Sequence, residues 1–251
     1  MKTLTTILML LIFIPFANAE KEITLQEIID NHTKASGGKE AIEKVKTAEI
    51  KIQIEEPTFK VKGTYVTDRD QRMRIDIYNE GKWVYAEGYD GKNGWQRKNE
   101  TGTAEPSSAE GSAALWHGTV LPGKTFGLHE LESLGHKVNL EGRETVDDIN
   151  YYVLKITLKD GFSKYYYVHP ENWRIERSRD LKALHPDMDP AKKWTESRYS
   201  DFKMQDGVLR SYRSDDYDLK SGQKIQTTIV ESFTVNPKID PAVYSADYVS
   251  K

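Results

Sequence analysis

The chain has 251 residues, no cysteine, and a formal net charge of −3 from 36 Lys and Arg set against 39 Asp and Glu. The missing cysteine excludes disulfides, a cysteine nucleophile and an acylated cysteine, so stability must come from burial alone. Charges of both signs are interspersed without the basic excess of a nucleic-acid binder, and no nucleic-acid partner is expected.

The first residues have the three-part layout of a secretory signal. Lys2 gives a positive start. Residues 4–16 are uncharged and mostly apolar, and Ala17-Asn18-Ala19 places small residues where a signal peptidase reads. The apolar run falls short of the ~20 residues that span a bilayer, and Pro15 sits near its end. Residues 1–19 are therefore expected to be a signal peptide cleaved near Ala19, and residues 20–251 one soluble, exported β domain.

That domain should open with a helix. Thr24 and Glu27 have capping-box spacing, Leu25, Ile28, Ile29 and His32 share one helical face, and Gly37-Gly38 stops the helix. A short helix over residues 39–45 follows. Strand alternation then dominates. Ile50, Ile52 and Ile54 alternate with polar residues, as do Phe59 with Val61, and Met73 with Ile75 and Ile77. Trp83 and Tyr85 begin a fourth strand, and residues 94–97 a fifth. Residues 101–135 lose the alternation and read as a loop-and-helix insertion, a kind of excursion that is often functional. Strands resume near Lys137 and continue through Leu154, Ile156 and Leu158, residues 165–168, 173–177, 196–202, 208–214 and 224–234. Asp160-Gly161 and Asp206-Gly207 supply turns. Residues 181–193 form a polar loop. About ten half-polar strands suit a sheet with one buried face. That face must be closed or covered, and the N-terminal helix is the natural plug.

Four stretches carry a family resemblance. They are LQEIIDNHTKASGGKEAIEKVKT leading into AEIKIQI, YDGKNGWQ, YYVLKITLKDGFSKYYYVHPENWRIERSRD, and VESFTVNPKIDPAVYS. In this order they resemble the periplasmic lipoprotein-localisation (LolA/LolB-like) family and its outer-membrane lipoprotein-sorting-protein-like members. The resemblance implies a mostly β fold. A large curved antiparallel sheet would form an unclosed β-barrel covered by the N-terminal and inserted helices, around a cavity for acyl chains. It also implies periplasmic localisation, lipoprotein acyl chains or free lipid as ligand, and transient inner- and outer-membrane protein partners. The family's latch arginine has candidates in Arg72, Arg74 and Arg97, and no motif selects one.

The candidate cavity residues are Ile50, Ile52, Ile54, Phe59, Val61, Met73, Ile75, Ile77, Trp83, Tyr85, Leu154, Ile156 and Leu158. Alternation alone does not separate a cavity wall from a packed core. Trp116 and Phe126 in the insertion read as lid residues, as a membrane-touching edge, or as anchors on the sheet. The six histidines lack zinc spacing, and Asp215, Asp216 and Asp218 lack the EF-hand pattern. There is no G-x-S-x-G, P-loop or dinucleotide fingerprint. No catalytic residue, metal or cofactor is expected. The leading expectation is a non-enzymatic carrier or chaperone for acyl chains in outer-membrane sorting. The alternatives are a cell-envelope interaction module with a packed core and a hydrolase built on the same scaffold.

Overall fold

The computed structural model describes residues 23–98 and 102–248; the expected signal peptide lies outside them. Helix α1 (Leu25–Ala35) starts at a complete capping box, with the Thr24 side chain accepting from Glu27 and Glu27 returning the bond. Helix α2 (Lys39–Glu43) follows at once. Between them Gly37 and Gly38 have φ of +110° and +90°. A Cβ on Gly37 would meet the Gly207 carbonyl oxygen at 1.9 Å, so the helical corner sits hard against the Asp206-Gly207 turn.

Strands β1 (Thr47–Glu56), β2 (Phe59–Asp68), β3 (Met73–Asn79), β4 (Lys82–Tyr89), β5 (Gly94–Lys98) and β6 (Glu105–Pro106) form one meander. Helix α3 (Ala109–Val120) and a 3-10 turn (Leu128–Glu130) come next. A second meander contains β7 (Lys137–Val146), β8 (Ile149–Thr157), β9 (Ser163–Val168), β10 (Ile175–Lys182), β11 (Lys193–Gln205), β12 (Val208–Asp218) and β13 (Lys224–Val235). A 3-10 turn, Pro241–Tyr244, closes the described chain.

Among the described residues these thirteen strands make one antiparallel sheet in the order β6-β5-β4-β3-β2-β1-β13-β12-β11-β10-β9-β8-β7. The barrel stays unclosed, as expected, because β6 and β7 are the two free edges. They are also consecutive strands, so the segment joining them is the insertion. The sequence pattern anticipates about ten strands; the surplus lies mainly in two-residue β6 and in the separate strands of the second meander. Bulges at Lys51/Ile52 and Ile77/Tyr78 add local bend.

Side-by-side partners in a ladder share a face. Ile54, Thr228, Ser214 and Tyr199 are successive partners from β1 to β11. Two residues before Tyr199, Ser197 begins the row Ser178, Tyr166 and Leu154. One inner face therefore runs across the whole sheet. The helices cover it. Ile28 and Ile29 of α1, with Val120, Leu128 and Leu131, pack on Val138, Leu154, Ile156, Leu158, Tyr166 and Val168. Leu115 of α3 joins Ile50, Tyr65, Met73, Ile75, Tyr212 and Phe233. The outer face of β3 to β5 is covered by the C-terminal segment. There Trp95 donates to the Tyr244 carbonyl at 2.8 Å and Arg74 to that of Tyr248 at 3.1 Å.

Candidate functional site

Between the helical cover and the strands β9 to β13 lies a cavity of about 470 Å³. That volume is within the ~300–1,000 Å³ usual for small-molecule sites. Helix α1 contributes His32 and its C-cap residue Ser36, α2 contributes Ile42, and α3 contributes His117 and Gly118. The stretch after α3 supplies Leu121, Lys124 and Phe126, and the sheet supplies Lys164, Tyr166, Asp180, Arg210 and Val230. The wall is amphipathic: Ile42, Val45, Phe126, Phe162, Val208 and Val230 are apolar, whereas β9, β10 and β12 present charge.

The charged part is built from strand parity. Lys164 and Asp180 are ladder partners on the inner face of β9 and β10, and their side chains meet at 2.7 Å. Both are buried. Burial pulls the Lys164 ammonium down, but Asp180 prevails and holds it well above its ordinary value. The Asp180 carboxyl is raised by burial and lowered more by Lys164 and Lys182, so it ends below the usual range. Arg210 on β12 donates through Nη1 to the carbonyls of Gly123 and Lys124, at 2.9 and 3.0 Å. Lys124 Nζ donates to the Gly118 carbonyl at 2.8 Å and lies 4.8 Å from the Tyr65 ring centre. Burial, reinforced by Lys164, lowers the Lys124 ammonium to about 8.

His32 meets the Trp173 carbonyl at 2.8 Å through Nδ1. A carbonyl only accepts, so Nδ1 carries the proton. Burial lowers the pKa of His32 and of His117, although Asp160 stands 2.6 Å from the latter. Elsewhere, Glu43, His129 and Glu130 converge closely enough to hold a cation. Glu130 is already bound by Arg69 at 2.6 Å and by the Gly127 amide at 2.8 Å.

None of the thirteen apolar residues expected at a cavity is among the residues lining this one. Ile50, Met73 and Ile75 are buried in the cluster that holds Leu115, with Ile52, Ile54 and Ile77 packed partly buried against it. Leu154, Ile156 and Leu158 are buried beneath α1. Val61 is half-buried, and Phe59 is 41% exposed at the end of the β1–β2 hairpin. Trp83 donates to Asp76 at 2.8 Å, and Tyr85 to Glu87 at 2.9 Å. Ile52 and Ile54 nevertheless sit beside the cavity, since their partners on β13 are the lining residues Val230 and Thr228.

Of the two insertion aromatics, Phe126 lines the cavity, and Trp116 donates to Gln71 at 2.9 Å. Sequence reasoning did not single out Lys124, Lys164, Asp180 or Arg210. A usable signal existed in Lys164 and Tyr166, which alternate on β9, and in Ser178, Asp180 and Lys182, which alternate on β10. Arg72 pairs with Asp68 and Asp70, Arg74 with Asp76, and Arg97 bonds the Ala246 carbonyl. Arg69 is the arginine that reaches the helical cover, through Glu130 and the carbonyls of Ile42 and Val45.

No family model matches the chain, and no curated protein matches it in sequence. Solved structures do match in fold. A LolA superfamily protein from Nitrosomonas europaea is 15% identical with a TM-score of 0.58, covering 89% of this chain and 98% of its own. A domain assigned as an outer membrane lipoprotein-sorting protein, from Vibrio parahaemolyticus, is 10% identical with a TM-score of 0.53 over 87% and 94%. A DUF1329 family protein from Desulfovibrio piger gives 10% identity and a TM-score of 0.52 over 90% and 99%. The chain has the fold that these LolA-like and lipoprotein-sorting structures share.

Proposed function

We propose that this protein is an exported, non-enzymatic carrier that buries acyl chains, of lipoproteins or of free lipid, beneath its helical cover. The observation that carries this reading is the cavity between the helices and the open sheet, with its run of apolar lining side chains. An acyl chain needs no directional partner there, and each buried methylene contributes ~0.8 kcal/mol. The likeness in fold to a LolA superfamily protein and a lipoprotein-sorting domain supports the reading, and so does the secretory layout of residues 1–19. Cleavage near Ala19 would release the rest of the chain into the periplasm, with no cysteine to take a lipid anchor. Ile52, Ile54, Ile77, Val61 and Tyr85 extend the apolar path along the inner face, beyond the cavity, toward the β1–β2 hairpin. Transient protein partners at the two membranes would load and unload it.

The packed-core interaction module has one observation in its favour: Ile50, Met73, Ile75, Leu154, Ile156 and Leu158 are buried in close-packed clusters. The separate cavity favours the carrier. Native mass spectrometry with lipid extraction of protein taken from the periplasm decides between them. A co-purifying acyl species is expected. Absence of any such species, together with failure to bind an uncharged apolar dye, would leave the interaction module.

A further inference from the structure

Arg210 is a cation whose surroundings leave it incomplete. It is 5% exposed, and the carbonyls of Gly123 and Lys124 take up one of its nitrogens. The guanidinium carbon lies over the Phe233 ring, 3.8 Å from its centre. Its Nε and Nη2 are buried without a hydrogen-bond partner. Native interiors seldom leave such donors unmet unless a ligand, ion or water completes them. Burial lowers its pKa only to about 10, so it stays charged at neutral pH.

The rest of the charged lining points the same way. Among the described residues Lys124, Lys164, Arg174, Lys182, Arg210 and Arg213 line the cavity against a single carboxylate, Asp180. Asp180 serves Lys164 and Lys182, and Arg213 has Asp215 outside the lining. Among the described residues Lys124, Arg174 and Arg210 have no carboxylate at ion-pair distance, although Asp206 acts on Arg210 from farther away. Arg174 lies over the Phe202 ring, and Arg210 bonds the carbonyl of Lys124 itself. A guanidinium fork with a free edge fits two oxygens of a carboxylate or phosphate. The apolar side chains of Ile42, Val45, Leu121, Phe126 and Val230 line the same space.

We propose that the cavity takes an anionic amphiphile, its carboxylate or phosphate head held by Arg210 and Lys124 and its chain lying on the apolar wall. This rests on the acyl-carrier reading and adds to it a demand on the charge of the head. A neutral chain would leave Arg210 unmet, and an ammonium head would face like charge.

The test compares ligands of equal chain length on the mature protein, below their micelle concentrations. Palmitate, hexadecyl phosphate, hexadecanol and hexadecylamine each compete with an uncharged fluorescent dye. Palmitate or hexadecyl phosphate is expected to bind at least tenfold more tightly than hexadecanol, and hexadecylamine most weakly. The stronger of the two anions identifies whether the head is carboxylate or phosphate. In Arg210→Gln the anion-to-alcohol ratio should collapse toward one. Lys124→Gln should reduce it by a smaller factor, and serves where the arginine variant does not fold. Equal binding of palmitate, hexadecyl phosphate and hexadecanol, or a ratio unmoved in both variants, overturns the anionic-head proposal and leaves the carrier reading standing. Failure of the dye and every chain to bind overturns both.

Discussion

The buried charges should dominate the response to single substitutions. Lys164 and Asp180 form a pair that is 7% and 2% exposed. Removing one partner strands the other, at a cost of about 3–5 kcal/mol. Asp180→Ala should therefore lower the urea midpoint strongly, while the double variant Lys164→Met with Asp180→Leu should recover most of the loss. Because the folded Asp180 has a lowered pKa, the unfolded chain binds more protons as pH falls below about 4. Its stabilisation is present above that pH and is lost in acid, so the double variant should show a shallower acid limb in urea titrations across pH. Lys124 has the opposite sign. Its folded pKa of about 8 lies below the ordinary value of 10.5. Burial of the ammonium, with Lys164 adding like charge, makes it a cost at neutral pH that the Tyr65 ring only partly offsets. Stability should rise between pH 8 and 10.5, where the folded state has already released the proton. Lys124→Met should raise Tm at pH 7 by a few degrees and abolish that rise. A Tm unchanged at pH 7 would mean that the site is wetter than its packing implies.

Elements differ in how far their sequence announces them. Helix α1 is legible because the Thr24–Glu27 box and the Ile28–Ile29 face agree with the core it fills. Strands β1 and β3 are legible because Ile50, Ile52, Ile54, Met73, Ile75 and Ile77 alternate with mostly charged outer positions, Glu49, Lys51, Glu55, Arg74 and Asp76. Helix α3 is not, since Gly111, Ser112 and Gly118 weaken its propensity and its start depends on the Ser108 cap. Gly111 is small for a tertiary reason: a Cβ there would lie 2.4 Å from an Asp187 carboxyl oxygen. That packing against the loop after β10 has no trace in local sequence. Arg69 joins several elements in the same way, from the β2–β3 turn to α2 and the 3-10 turn. Arg69→Ala would orphan the Val45 carbonyl and take one partner each from the Ile42 carbonyl and Glu130, which keep the Val45 and Gly127 amides, a loss of about 1–3 kcal/mol. Amide exchange should then quicken over residues 39–45 and 128–131 while β8 and β9 keep their protection. Uniform acceleration across the sheet would instead show that the cover and barrel open as one unit.

At the scale of the molecule, topology decides where a ligand can sit. Because β6 and β7 are the free edges and are joined by the insertion, the cover necessarily spans the gap in the sheet. The inner face beneath it changes character along the strand order. It is Ile-rich from β1 to β3, and carries Lys164, Asp180, Ser197 and Ser214 from β9 to β12. Apolar alternation identifies the first half, where α3 packs, and is silent on the second, where both faces are polar and parity alone cannot say which is inside. The cavity lies over that second half, and its site was for this reason the least legible part of the sequence. The same geometry predicts a linked change in stability. A ligand that binds only the folded chain stabilises it by RT ln(1 + [L]/Kd), about 2.7 kcal/mol at a hundredfold excess over Kd. Palmitate should therefore raise Tm by several degrees. Val230→Trp, placed where β13 meets the cavity beside Ile52, would occupy the space itself. It should suppress the palmitate shift, with a change in unliganded Tm set by how well the indole fits. A full palmitate shift in that variant would place the chain elsewhere, along the Ile52–Ile54–Ile77 face rather than in the cavity beneath the helices.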